Sequence, residues 1–304
     1  MTETLSISEA MATPLRVIRR HPLAVFVWGF SIAAFSLLLA VLVFGTLGNI
    51  PLSNGAEPPP ELVGRLVALQ GVTMLFNVAQ LVLGVTIWTA TARATLRIGR
   101  PDKWFFMRLS MDELRVGVVG IALLVGTYFA VLIVVAVGTL AGFIVWQISQ
   151  AAAIILGAVL FLALIAFVAV AMARLSLIAP TTLILGRLAF VEGWQLGRKR
   201  TLPLLGLLVS TWLAYALVYV IIAFVVIVAL FASGVFANME ALGGAGTLGD
   251  MFPSAPVLWG VALLVLGPGG FIYGSVLTLL SAPFTSAARQ LLDGAPEDGA
   301  HALV

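Results

Sequence analysis

Gln70, Thr73, Asn77, Gln80 and Gly84 recur at intervals of three and four. On a helix that spacing puts four neutral hydrogen-bonding side chains and a glycine on one face. Amides and hydroxyls do no acid–base work near neutral pH. They hydrogen-bond, either to neighbouring helices or to a solute or headgroup in a polar cavity. Interhelical bonds of this kind contribute about 0.6 kcal/mol each. No other helix of the chain offers an equally polar face to meet this one. Groups with stronger chemistry are scarce. The two histidines, His21 and His301, lie near the termini, and there is no cysteine. Thiolate chemistry, disulfides and sulfur-ligated metals are therefore excluded. His, Asp and Glu form no group at metal-ligand spacing, and no phosphate loop, nucleophile elbow or dinucleotide fingerprint occurs. The expectation is a protein that is not an enzyme, with no catalytic residues, no metal and no cofactor.

The elements that carry the stripe follow from composition. Of 304 residues 62% are hydrophobic and 10% charged, against roughly 45–50% and 25% in soluble domains. A soluble surface of this size needs more polar residues than the chain has, so a bilayer is the expected solvent. A crossing helix takes about 20 apolar residues. Six stretches qualify: 22–47, 66–92, 116–146, 151–173, 202–237 and 256–280. Residues 116–173 hold no charge, and "WQISQ" at 146–150 makes a hinge between the third and fourth spans. The apolar part of the first span is longer than the 7–15 residues of a signal peptide's apolar core, so it reads as a retained helix.

Basic residues set the orientation. Arg16, Arg19 and Arg20 precede the first span. Six more lie between the second and third, five between the fourth and fifth, and Arg289 follows the sixth. Only Arg65 lies on the other side, at its interface, a division of 15 to 1. Both termini are therefore expected in the cytoplasm. Fourteen of the 16 basic residues are arginine, a usage that points to a GC-rich bacterial genome and hence to a bacterial inner membrane. The organisation expected is a cytoplasmic amphipathic helix over 1–21, a six-span bundle over 22–290 and a short cytoplasmic tail over 291–304.

The even-numbered spans end alike, in "TARATLRIGRP", "MARLSLIAP" and "AARQLLDGAP". Each has Ala-Arg, a short helical extension and proline. Arg93, Arg174 and Arg289 thus stand where a helix meets the cytoplasmic headgroups, with the negative end of its dipole beside the cation. Proline opens the first and fifth spans, as Pro22 and Pro203, after basic clusters. Ser6 with Glu9 and Ser110 with Glu113 have the spacing of capping boxes. The fold class expected is all-α: six transmembrane helices as three helical hairpins, with cytoplasmic interfacial helices. Gly267, Pro268, Gly269 and Gly270 interrupt the sixth span as a kink, or as a hinge freeing backbone groups for a ligand. Gly138 with Gly142, and Gly270 with Gly274, permit close helix approach. Aromatic and basic residues mix over 101–115 and around Trp194, as in segments lying in the headgroup layer. Headgroup contacts are expected from Arg93, Arg174, Trp194, Arg198, Lys199 and Arg200.

From Arg174 the chain reads "RLSLIAPTTLILGRLAFVEGWQLGRKRTLPLLGLL". This resembles the membrane domain associated with bacterial glycerophosphoryl diester phosphodiesterases, in Arg174, Pro180, Trp194, the cluster 198–200 and Gly206. Gly193 departs from it, since the family has serine before the tryptophan. The close likeness covers about 35 residues. It implies the membrane part alone. The residues after Arg289 leave no room for the catalytic barrel that some members carry, so no phosphodiesterase activity is implied.

No span carries an acid or base at its centre, as ion-coupled transporters usually do. The leading functional expectation is a non-catalytic scaffold or accessory subunit of an envelope or lipid-related complex. Its partners would be membrane lipids and a larger assembly or further copies of itself, not nucleic acid. The alternative is a transporter or lipid-handling protein using Gln70, Thr73, Asn77 and Gln80, with Tyr215 and Tyr219 facing the same cavity or packing. On that reading the stripe looks into a cavity beside Gly267–Gly270.

Overall fold

The computed structural model describes residues 5–47, 60–98, 104–108, 110–198, 200–232 and 255–294. They form helices α1 (Ile7–Arg20), α2 (Pro22–Leu47), α3 (Pro60–Leu96), α4 (Met111–Trp146), α5 (Gln150–Leu175), α6 (Ile178–Leu185), α7 (Phe190–Arg198), α8 (Thr201–Ala232), α9 (Ala255–Leu264) and α10 (Gly270–Asp293). A π-helical turn, Val265–Gly269, joins α9 to α10. Six helical stretches are long and apolar enough to cross a membrane. No strand occurs among the described residues. His301 and the rest of the tail beyond Gly294 lie outside them.

The sixth span is the hub: α10 packs against α1, α2, α3, α6 and α8. Its tightest crossing is with α2. A methyl group at Gly29 would overlap the Gly270 carbonyl and the Gly274 amide, and one at Gly274 would overlap the Val25 carbonyl. The small-residue spacing of Gly270 and Gly274 thus marks a real backbone-to-backbone contact. At Gly138 the nearest neighbour is a side chain, Leu160, at 3.6 Å, and nothing lies within 4 Å of a methyl at Gly142. Pro268 removes one backbone donor, and the π-helical turn accommodates that gap inside a continuous helix.

The core gathers at one end of the bundle, where the basic residues also collect. One cluster joins Val17, Val25, Trp28, Ile32, Ile87, Ala90, Ala94 and Phe106. Another joins Ala10, Ala173, Leu177, Leu204, Leu207, Ala287 and Ala288. Alanines stand among the larger side chains, as suits helices that associate in lipid by close packing. Threonines fill the gaps. Thr89, Thr91, Thr95, Thr278 and Thr285 are buried, and each hydroxyl donates to the carbonyl four residues back at 2.8–3.2 Å. Towards the opposite end the helices expose long apolar rows, such as Leu124, Phe143, Ile155 and Leu162.

Capping fixes how the chain enters this end. Ser110 and Glu113 form the full capping box read from the sequence. At α1 the Ser6 hydroxyl accepts from the Glu9 amide, while the Ser6 amide donates to Gln290 Oε1 at 3.0 Å. The second arm of that box is thereby replaced by a tie to α10.

Candidate functional site

The stripe on α3 forms one wall of a groove. Asn77, Gln80, Gly84 and Trp88 line a cavity of about 660 Å³, closed by Gly120 and Leu123 of α4, Ser176, and Ser281 and Phe284 of α10. Its volume falls within the roughly 300–1,000 Å³ of small-molecule sites. A second cavity, of about 480 Å³, lies over Leu66, Gln70, Thr73 and Asn77. All its lining residues belong to α3, so it is an open furrow. The two share Asn77. From Leu66 to Trp88 they follow α3 for 22 residues, or about 33 Å. That is close to the hydrocarbon thickness of a bilayer, about 30 Å.

Gln70, Asn77 and Gln80 are exposed in this groove and Thr73 is half-buried. None of the four side chains hydrogen-bonds to another described residue. The stripe is therefore not glue between helices. Its neighbours, Leu81, Val85, Val116, Leu123 and Phe284, are apolar. Amides so placed keep their donors and acceptors free for a guest.

Gly267–Gly270 line neither cavity. Gly270 instead faces α2, where a methyl would come 3.2 Å from Phe30 Cα. The stripe and the helix break, juxtaposed in the sequence reading, lie apart because α10 turns its glycine face to α2 and its Ser281–Phe284 face to the groove. Tyr215 and Tyr219 also stay outside, stacking with Trp212 and each other at 5.6 and 6.2 Å between rings.

The arginines that close the even spans each bind protein. Arg93 pairs with Glu113 at 2.6 Å and Asp112 at 3.3 Å, and donates to the Phe106 carbonyl and Ser110 hydroxyl. Arg174 donates to the Thr201 hydroxyl at 3.0 Å and lies over the Trp194 ring, 5.5 Å from its centre. Arg289 donates to the Leu96 carbonyl at 3.1 Å, capping the end of α3. Arg93, expected from the sequence at the headgroups, is instead 12% exposed and held by two carboxylates. Trp194 keeps 39% of its surface exposed and Arg198 is exposed, while Arg200 is half-buried. Lys199 lies outside the described residues.

Two features of this end had no distinct signal in the sequence. Phe105 and Phe106 take left-handed backbone, φ 53° and 63°. That conformation turns Phe106 into the core and aims the Phe105 carbonyl at the Trp28 indole N–H, 2.9 Å away. Gly193 and Gly197 let α7 lie directly on the end of α5 and the start of α6: a methyl at Gly193 would come 2.6 Å from Ile178 Cα, and one at Gly197 3.1 Å from Arg174 Cα. Among the described residues no three His, Cys, Asp or Glu side chains converge on a metal-sized site. No protein-family model, no curated protein and no solved structure matches this chain.

Proposed function

We propose that the protein is a non-catalytic, multi-pass protein of a bacterial cytoplasmic membrane that holds a lipid-like amphiphile in the groove along α3. One observation carries this reading. Among the described residues the hydrogen-bonding stripe has no protein partner, yet it forms a wall of a cavity whose other sides are mostly apolar. A guest that suits it has a few neutral polar groups and a long apolar part. Uncharged amides bind such groups without the desolvation penalty of a buried charge.

The same proposal takes the spans as three hairpins, with both termini on the cytoplasmic side and α1 and α7 at that interface. The 15-to-1 division of basic residues supports it. Kinship with the phosphodiesterase-associated membrane domains is compatible with it, through the stacked Arg174 and Trp194.

The test is lipid retention. Wild type and an Asn77→Leu/Gln80→Leu variant are purified in mild detergent, and bound lipid is counted by native mass spectrometry. Retained lipid in wild type, lost in a variant with unchanged helicity and thermal stability, is the expected result. Equal lipid in both proteins counts against the groove.

A second reading, the scaffold or accessory subunit, draws on the furrow over Gln70 and Thr73, which α3 alone borders. There a helix of another protein, or of a second copy, supplies the missing hydrogen bonds. A partner isolated reproducibly with wild type, and released by the same variant, would favour it.

A further inference from the structure

We infer that the occupant of this groove is a phospholipid of the leaflet remote from the basic end. Its phosphate sits at Arg65, its glycerol esters at Gln70, and one acyl chain runs past Thr73 into the cavity from Asn77 to Phe284. The inference rests on the lipid-holding reading and adds the class, leaflet and orientation of the lipid.

Arg65 carries the first part of the argument. It is the one basic residue on the side opposite the other 15. It is exposed, and it makes no ion pair or hydrogen bond with another described residue. On α3 it stands one turn before Leu69, which lines the furrow. Residues four apart are neighbours on a helix face, so Arg65 stands at the furrow's mouth. A guanidinium presents a fork of donors that matches phosphate oxygens.

Depth gives the second part. Arg65 and Gln80 are 15 residues apart, about 22 Å along the helix. A headgroup lies about 20–22 Å from the bilayer midplane, half of a total thickness of about 40–45 Å. With Arg65 at the phosphate level, Gln80 therefore stands at the midplane. Gln70, about 8 Å deeper than Arg65 along the helix, stands at the edge of the hydrocarbon, about 15 Å from the midplane, where the ester oxygens of a lipid lie; Thr73, about 12 Å deeper than Arg65, stands beside the start of the acyl chain.

Polarity falls in the same direction. Amides occupy the part from Gln70 to Gln80, and the deeper wall is mostly Leu81, Val85, Val116, Leu123 and Phe284, with the hydroxyls of Ser176 and Ser281 as its polar groups beside Trp88. A lipid entering from the basic end would place its headgroup beside Ser176, Ala179 and Ser281. No charged residue lines the cavity there, so an anionic headgroup meets no counter-charge. The direction of the gradient and the position of Arg65 agree on one leaflet.

The experiment uses the full-length protein in nanodiscs of phosphatidylethanolamine and phosphatidylglycerol. These are doped in turn with three photoreactive probes: a phospholipid with a diazirine at the chain end, one with a diazirine on the headgroup, and a diacylglycerol with the chain-end diazirine. Cross-linked peptides are mapped by mass spectrometry. The chain-end phospholipid is expected to label 81–88 and 116–123 above the exposed stretch 154–165 of α5. The headgroup probe is expected at 62–70. Arg65→Gln, at an exposed site, should lower groove labelling by the phospholipid about tenfold, the loss of one hydrogen bond to a charged group, and leave labelling by diacylglycerol unchanged.

The outcomes separate the two levels. If no probe is enriched in 81–88 and 116–123, the lipid-holding reading and this inference both fall. If the chain probe is enriched there but the headgroup probe labels 174–179, a lipid is held from the other leaflet and only this inference fails. Equal groove labelling by diacylglycerol and phospholipid in wild type overturns phosphate recognition by Arg65.

Discussion

Arg93 and Glu113 stand 2.6 Å apart, joining the end of α3 to the first turn of α4. They are 12% and 7% exposed, and Thr89 and Ser110 complete the carboxylate's hydrogen bonds. Removing one member of such a buried pair costs about 3–5 kcal/mol, because the other charge is stranded. Arg93→Ala, which leaves Glu113 buried without a cation while Asp112 would still hold Arg93 in the converse variant, should therefore lower the thermal unfolding midpoint markedly. Arg93→Ala/Glu113→Ala should do less harm than Arg93→Ala alone. A double variant less stable than either single variant would contradict this account of the pair.

Gly29 is the point where α2 meets the backbone of α10. Overpacking costs about 1–3 kcal/mol. Gly29→Ala should reach the top of that range, since backbone and not a flexible side chain must move. Gly84, which has open space around it, should accept alanine with almost no loss. Thermal unfolding of the two variants side by side measures the difference.

Gly193 touches Ile178 where the resembling family carries serine. Gly193→Ser should destabilise by about 1–3 kcal/mol, and Gly206→Ala, with only ordinary contact to Ile7, should not. If Gly193→Ser unfolds at the wild-type temperature, α7 does not sit on the start of α6 as described.

Phe105 and Phe106 share an unfavourable backbone but differ in burial. Left-handed backbone costs an ordinary residue about 1–2 kcal/mol. Phe105→Gly relieves that strain on a side chain that is 38% exposed, and stability should stay within about 1 kcal/mol of wild type. Phe106→Ala removes a ring that is 2% exposed and should cost about 3–5 kcal/mol. Chemical unfolding in mixed micelles separates the two.

The chain's lack of cysteine makes its sidedness directly measurable. Ser8→Cys and Ser53→Cys, each as the lone thiol, should react with an impermeant maleimide from opposite sides of sealed vesicles. Reaction from the same side would overturn the proposed orientation.

The helical class, the six apolar stretches and the gathering of charge at one end were all legible in the sequence. Each depends on a local property: apolar run length, proline and serine caps, the sign of side chains between runs. The stripe from Gln70 to Gln80 was legible for the same reason, since helical spacing alone puts those residues on one face. What the stripe faces was not. Whether an amide meets another helix or an empty groove depends on how α4 and α10 are rotated. That rotation is set by contacts far apart in sequence, such as Gly29 with Gly270 and Gly274. Packing turned the Gly267–Gly270 break away from the groove and brought Ser281 and Phe284 into it. The fate of the arginines was decided in the same way. Arg93, Arg174 and Arg289 look equivalent in the sequence, each at the end of a span. In the fold one meets carboxylates, one a hydroxyl and an indole, and one a helix-end carbonyl. A local pattern records that a cation stands at a helix end, but only the arrangement of neighbouring helices determines which acceptor lies within its reach.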